Sequence, residues 1–411
     1  MKHERVEARL SVEHVDAQGL RALDAAEWDA LSTGALVENP FYAREVVLAG
    51  LDTIDSGAQI EALVVRGERR ELLGLFPYER RQLPFETVDG AGNLYQPCRT
   101  PLIRREHARD IVPAWVDAVA HMQSVPRFWR FKHVDLASKL LRLAEDAVAQ
   151  RGLCLISVNR YTRPHLTRLD GGLDSHIEHV MPKRRLKDIE RNIRRLSKLG
   201  SLRFERSRDP EIVARRLDQF LELENSGWKG QAGTALLAKR EDAGFARSAF
   251  APRSDGLSLI STDTLLIDDC PIAIGFNLQA RHTAYTAKVA YDETYRRYSP
   301  GFVLEYFVIR AFYDDVTMHD MDAATTEEGH VVAALWNGHK DVGTVFIGPD
   351  DWRTRAMAAL AGRVHASRQF AKSIIKGRDG RIPATAVKAM GWLKNGRRIP
   401  WEVGIAALAA K

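Results

Sequence analysis

Three apolar segments separated by short polar turns dominate residues 257–291 and constrain the fold more than any other feature. The segments 257–267, 271–279 and 283–291 each have the length of a strand, and polar residues lie at both turns. This pattern predicts an antiparallel three-stranded meander. From Gly301 onward, apolar side chains recur at i, i+3, i+4, i+7 and i+8, which predicts a helix that packs back on the meander. A mixed α/β layer structure satisfies both patterns.

An earlier part of the chain repeats this alternation of helices and strands. Segments 60–65 and 72–80 predict a hairpin, 108–122 a helix, and 129–133 and 154–158 two strands. A helix is also predicted at 20–31 and a short strand at 317–321. Since 411 residues exceed the size at which a single core stops growing, we predict an α/β (α+β) protein with two lobes, 1–170 and 171–348, followed by a basic helical extension at 349–411.

Composition excludes several classes of protein. Hydrophobic residues make up 45% and charged residues 28% of the chain, as expected for a folded globular protein. No apolar run is long enough for a membrane-spanning helix, and no apolar segment follows the charged N-terminus as in a signal peptide. We therefore predict a cytoplasmic protein. Cys98, Cys154 and Cys270 are odd in number and far apart, which predicts buried thiols rather than a disulfide framework or a metal site.

Positive charge is concentrated in two places. Residues 351–411 contain 13 Lys and Arg against 3 Asp and Glu, whereas the rest of the chain carries a net negative charge. Residues 183–198 predict a helix with one apolar face and one basic face, the latter carrying Lys187, Arg191, Arg194, Arg195 and Lys198. Such surfaces suit tRNA or another nucleic acid, and for residues 351–411 also an anionic membrane face or a phosphorylated substrate, although a solvated helix face remains the alternative.

The junction at residues 291–302 is the most informative stretch for binding. A helix N-terminus binds phosphate through its unpaired N–H groups, Pro300 presets the first helical turn, and Gly301 lets a ligand approach the backbone. The alternative is an ordinary helix start with Ser299 as its N-cap. The candidate cofactor-binding residues are Arg296, Arg297, Tyr298, Ser299, Gly301 and Phe302.

Five short motifs occur in a characteristic order. They are Asn-Pro-Phe at 39–41, Leu-Phe-Pro-Tyr-Glu-Arg at 75–80, Lys-Arg-Arg at 183–185, Leu-Glu-Asn-Ser-Gly-Trp-Lys-Gly at 223–230 and Tyr-Ser-Pro-Gly at 298–301. In content and order they resemble the CelD/BcsL-type acetyltransferases (cellulose biosynthesis protein CelD-like) of the GNAT superfamily. That branch is similar to the FemA/FemX peptidyltransferases. The resemblance covers roughly residues 20–347.

The resemblance implies tandem GNAT-like lobes, with an acyl-CoA-type cleft between splayed strands of the C-terminal lobe. It implies direct transfer of an acyl group, with acetyl-CoA as the expected donor, to an amine of a sugar, polyamine or amino-acid-like acceptor. GNAT phosphate loops carry two glycines, but residues 297–301 have one. An aminoacyl-tRNA-dependent, FemX-like transferase therefore stays open. The lysine that relatives carry before a tryptophan is absent before Trp336, so a non-catalytic scaffold in polysaccharide biosynthesis also stays open.

Amine acylation needs a base for the acceptor and an acid for the leaving thiolate. Asp292, Glu224 and His330 are the candidate bases, and Tyr285, Tyr295 and Tyr298 are the candidate acids. Asp292 equally suits a turn cap, and Tyr285 a packed ring. The candidate substrate-binding residues are Trp228, Lys229 and His330. P-loop and dinucleotide-binding motifs do not occur.

Overall fold

A computed structural model describes residues 10–81, 86–253, 259–326 and 331–377. The strands are β1 (Ser11–Val15), β2 (Ile60–Arg66), β3 (Leu72–Arg81), β4 (Thr87–Gly90), β5 (Leu102–Ile103), β6 (Trp129–Asp135), β7 (Leu153–Thr167), β8 (Leu202–Ser207), β9 (Ile260–Ile267), β10 (Cys270–Ala280), β11 (Thr283–Tyr291), β12 (Asp320–Asp322) and β13 (Gly338–Pro349). The helices are α1 (Ala17–Ala22), α2 (Ala25–Thr33), α3 (Arg44–Asp52), α4 (Ala108–His121), α5 (Lys139–Ala149), α6 (Gly172–His179), α7 (Lys183–Leu196), α8 (Pro210–Ser226), α9 (Trp228–Gln231), α10 (Arg240–Ala249), α11 (Pro300–Asp314) and α12 (Trp352–Gly377).

All strands of the described ranges belong to one mixed sheet. Its order is β1-β2-β3-β4-β6-β13-β7-β12-β11-β10-β9-β8, and β5 pairs with β3 outside this path. The pairs β4–β6 and β11–β12 are parallel, whereas the other neighbours are antiparallel. The predicted α/β (α+β) class with helices flanking mixed strands is confirmed.

The two halves of the sheet exchange their last strands. Strand β7 follows the first half in sequence but pairs with β12 of the second, whereas β13 follows the second half but pairs with β6 of the first. Between them, β7 and β13 pair over almost their full lengths. The predicted lobes therefore share one continuous sheet instead of enclosing separate ones.

Helices cover both faces of this sheet. In the first half, α4 and α5 cover a core that includes Trp115 and Trp129. In the second half, α7 and α11 cover one face. The opposite face packs under α8 and α10 together with residues from the first half, such as Phe41 and Tyr95. This shared core fixes the halves relative to one another.

Most predicted elements are confirmed, including the β2–β3 hairpin, the β9–β11 meander, α4, α7 and α11. The helix predicted at 20–31 is wrong, because Leu23 is extended and the Asp24 side chain caps a new helix by accepting from the Glu27 N–H. The strand predicted at 317–321 is limited to β12. Of the three thiols predicted to be buried, Cys98 is buried and Cys154 is half-buried. The prediction is wrong for Cys270, which is exposed at the start of β10.

The predicted basic helical extension is confirmed as α12 up to Gly377, and its part at 378–411 lies outside the described residues. The prediction of which α12 side chains pack is wrong. The sequence places Trp352, Met357, Leu360 and Val364 at helical intervals, which predicts that they pack on the body of the protein. Met357 is buried, but Trp352, Leu360 and Val364 are exposed. The packed face instead presents Thr354 and Ala358 to the sheet. Within the described ranges, no helix has the length and apolar character needed to cross a membrane.

Candidate active site

The parallel strands β11 and β12 pair over only three residues and then diverge. Their register runs from Thr283 opposite Asp320 to Tyr285 opposite Asp322. Beyond this point β11 continues to Tyr291, while the chain after β12 turns towards β7. Residues 286–291 thus present a strand edge with no paired strand on the β12 side in the described chain. The family resemblance implies an acyl-CoA-type cleft between splayed strands, and this edge is the candidate for it.

The strand edge of β11 is also irregular on its other side. The pairing with β10 shifts so that Phe276 lies opposite Lys288 and Asn277 opposite Thr286. Ala287 is therefore a bulged residue without a direct partner in β10. The bulge lies just beyond the last pair of β11 and β12. Since a bulge bends a strand and re-aims its side chains, it accounts for the way β11 turns away from β12.

The chain passes from β11 into α11 through a short 3-10 turn, Glu293–Tyr298. Asp292 caps this turn by accepting from the Thr294 N–H at 2.9 Å. Ser299 is the N-cap residue of α11 but has a left-handed backbone, with φ of 50°, and its side chain makes no capping bond. The alternative of an ordinary side-chain cap at Ser299 is therefore wrong, because such caps require a β-region backbone.

Gly301 leaves open space at the start of α11. A Cβ placed at this glycine would have one neighbour within 4 Å, the Tyr291 ring at 3.9 Å. No packing contact with the described residues therefore requires a glycine at position 301. The gap therefore suits a ligand that approaches the helix N-terminus.

Arginines converge on two aromatic rings beside this N-terminus. The guanidinium groups of Arg195 and Arg297 lie over the Tyr298 ring, at 4.7 and 4.8 Å from its centroid. Arg185 lies 4.4 Å from the centroid of the Phe302 ring. These five residues form what we call the basic–aromatic surface. Helix α7 thus places Arg185 and Arg195 against two of the predicted cofactor-binding residues, Tyr298 and Phe302. The predicted residue Arg296 is exposed.

Glu224 and two lysines form a cluster on the opposite face of β11. The Glu224 carboxylate accepts from Lys229 Nζ at 2.7 Å and from the Leu236 N–H at 2.9 Å, and Lys288 Nζ lies 3.8 Å away. Lys288 lies over the Tyr95 ring. Burial raises the pKa of Glu224, but Lys288, Lys229 and the Leu236 N–H outweigh it and hold the pKa below its ordinary value. Glu224 is therefore a buried, ionised carboxylate.

Trp228 follows the break at Gly227 and is 57% exposed. The backbone N–H of Trp228 donates to Glu293 Oε1 at 2.9 Å, so the loop after α8 is attached to the turn after β11. The structure thereby brings Trp228, Lys229 and Glu224 next to the predicted cofactor-binding turn. His330 lies outside the described residues, and its role stays a prediction.

Tyr285 lies deeper, with its hydroxyl donating to the Glu38 carbonyl at 2.8 Å. Burial raises the pKa of Tyr285 well above its ordinary value. No hydrogen bond or ion pair joins Tyr285, Glu224 and Asp292 to each other. Their catalytic roles stay predictions, because each side chain has a structural partner of its own.

A buried ion network lies where β12 ends, and the sequence analysis missed it. Asp322 contacts Arg163 at 3.4 Å and Lys340 at 3.1 Å, and Arg163 also donates to the Pro97 and Thr325 carbonyls. Burial raises the pKa of Asp322, but its two cationic partners outweigh this and lower it. Other polar residues surround Asp322, Arg163 and Lys340 in their strands, so no local sequence signal marked the network. The network joins both halves beneath the divergence of β11 and β12.

Comparisons with known proteins identify a domain in the second half of the chain and relatives of its fold. Residues 183–330 match the family model described as "Acetyltransferase (GNAT) domain". A solved structure of FemX has a TM-score of 0.53 at 10% identity, covering 79% of this chain and 96% of FemX. No match was found among curated proteins.

Two further structures have the same fold at low identity. The C-terminal domain of a putative lysylphosphatidylglycerol synthetase from Agrobacterium fabrum has a TM-score of 0.50 at 13% identity, covering 84% of this chain and 96% of that domain. A conserved protein of unknown function from Bacteroides thetaiotaomicron has a TM-score of 0.50 at 10% identity, covering 80% and 98%. Together, the family match and the fold support an acyltransferase with a GNAT domain at residues 183–330.

Proposed function

We propose that the protein is an N-acyltransferase that moves an acyl group from acyl-CoA to an amine acceptor at the divergence of β11 and β12. The observation that carries the proposal is that three possible binding features follow one another without interruption. The free edge of β11 leads through one short turn to the open N-terminus of α11 at Gly301 and to the basic–aromatic surface. An extended pantetheine chain and the phosphates that follow it have the same arrangement.

The donor's two parts match two kinds of binding group. Pantetheine amides are able to hydrogen-bond to the unpaired edge of β11 as an added strand would. The phosphates then reach the start of α11, where backbone N–H groups and the helix dipole favour negative charge. Arg185, Arg195 and Arg297 supply cationic groups within the same surface. Arg296 and Ser299 remain proposed contacts.

In the proposed reaction the neutral acceptor amine attacks the acyl carbonyl carbon directly. A C–N bond forms, the C–S bond breaks, and the thiolate leaves and takes up a proton. Asp292 is the proposed base, acting through water, because it opens the turn that leads to the donor surface. Glu224 would position Lys229 and Lys288 beside the acceptor. Tyr285 would serve as acid only after releasing the Glu38 carbonyl.

An aminoacyl-tRNA donor is the second candidate, and the length of the basic face of α7 favours it. Besides Arg185 and Arg195, which contact the aromatic rings, exposed basic residues also lie along this helix and just after it: Lys183, Arg184, Lys187, Arg191, Arg194 and Lys198. Phosphates spread along a polynucleotide would use this whole row of cations, whereas the proposed CoA surface uses only Arg185 and Arg195 of this helix. The resemblance to FemA/FemX peptidyltransferases points the same way.

Binding calorimetry with CoA and with tRNA tests the proposal. Gly301→Val places methyl groups in the open space before α11 and should weaken CoA binding at least tenfold. Gly362→Val is the control, because a Cβ there also meets nothing within 4 Å but lies in α12. Binding of tRNA without CoA would favour the second candidate. Equal CoA affinity of folded Gly301→Val and wild type would show that the proposed donor site is wrong.

A further inference from the structure

The outward face of α12 carries apolar side chains that the described residues of the protein leave exposed. Trp352, Leu360 and Val364 are 66%, 54% and 42% exposed, and the exposed Ala356 lies between the first two. Residues four apart lie along one side of a helix. These four positions therefore form one ridge along α12, which we call the outer ridge.

The outer ridge cannot be explained as core. The inward face of the same helix already packs on the sheet through Thr354, Met357 and Ala358, against Phe346 and its neighbours. Three large apolar side chains in a row facing water are unfavourable unless something covers them. The ridge thus indicates a binding surface of α12.

Charge indicates what kind of partner covers the ridge. The 26 residues of α12 include six Lys and Arg and no Asp or Glu: Arg353, Arg355, Arg363, Arg368, Lys372 and Lys376. The first four are exposed. The nearby carboxylates are those of Asp350, which pairs with Arg355, and Asp351, which accepts from the Arg353 N–H. The partner is therefore anionic as well as apolar.

We propose that α12 lies flat on an anionic lipid bilayer, with the outer ridge inserted at the headgroup level and the arginines among the lipid phosphates. A tryptophan at one end, aliphatic residues along one side and flanking cations are the composition of an interfacial helix. Helix α7 offers the internal contrast. Its basic face is exposed while its apolar residues Ile189 and Leu196 are buried, as suits a soluble polyanion that needs charge alone.

Vesicle co-sedimentation of the full chain tests this proposal. Wild type should bind phosphatidylglycerol-containing vesicles and bind pure phosphatidylcholine vesicles at least tenfold more weakly, because each cation near an anionic surface adds about fivefold in affinity. The double variant Leu360→Asp/Val364→Asp should lose at least tenfold in binding to the anionic vesicles. Leu199→Asp is the control, since Leu199 is 46% exposed after α7. It should bind like wild type.

Two further measurements separate a lipid surface from a nucleic acid. Fluorescence of Trp352, obtained by subtracting the spectrum of Trp352→Phe, should shift to the blue with anionic vesicles. Binding of tRNA should be the same for wild type and the Leu360/Val364 double variant. Unchanged vesicle binding by the folded double variant would overturn the proposal. Loss of tRNA binding without any vesicle binding would do so too, and would make α12 a nucleic-acid surface.

Discussion

Glu305 offers a sharp test of the packing under the candidate site. This residue of α11 is buried, and its carboxylate accepts from Trp336 Nε1 at 2.6 Å. Burial is the largest influence on its pKa and raises it from 4.5 to about 7, although the Trp336 bond and Arg206 act in the opposite direction. Asp263 adds to the rise. Glu305 should therefore be largely protonated in the folded protein in mildly acidic solution.

The direction of the pH dependence follows from linkage. The folded protein holds this proton more tightly than the unfolded chain, so the stabilisation is complete below pH 4.5 and is lost as the pH rises through about 7. Since one pKa unit corresponds to about 1.4 kcal/mol, the full loss is about 3 kcal/mol. Of this, about 2.5 kcal/mol falls between pH 5 and pH 8.

The variant Glu305→Gln removes the titration and keeps an oxygen that accepts from Trp336. Urea unfolding of both proteins at pH 5 and pH 8 gives the difference in free energy of unfolding at each pH. From pH 5 to pH 8, we expect the free energy of unfolding of the variant to rise by about 2.5 kcal/mol relative to that of wild type. If the difference is the same at both, Glu305 does not bind its proton more tightly when folded and the reasoning fails.

Two further predictions concern the ion network and the donor surface. Asp322→Asn leaves a buried arginine and lysine without their carboxylate and should lower the free energy of unfolding by about 3 kcal/mol; a urea midpoint equal to that of wild type would contradict this. Arg185→Gln/Arg195→Gln should weaken CoA binding and reduce its dependence on salt. The matched pair Arg184→Gln/Arg191→Gln should leave CoA binding unchanged but weaken tRNA binding, and equal effects of the two pairs on CoA would count against the basic–aromatic surface.

The sequence by itself determined the local elements and the start of α11. Periodicity is set by which residues meet the core within one element, so the β9–β11 meander, α7 and α11 were predictable without knowledge of their neighbours. Pro300 and Gly301 likewise act through their own backbones. The helix start at residues 291–302 was therefore readable from the sequence, whereas its role as a donor site stays a proposal.

Only the tertiary structure decided how distant elements meet. The exchange of β7 and β13 depends on long-range pairing, which no local pattern encodes. The same holds for the contacts of Arg163 with Asp322 and of Lys288 with Glu224, since partners far apart in sequence leave no spacing to read. The packed face of α12 was mispredicted for a related reason. The sheet beneath α12 receives Met357 together with the small side chains of Thr354 and Ala358, so the buried face depends on the sheet surface that the helix meets and not on the hydrophobicity of α12 alone.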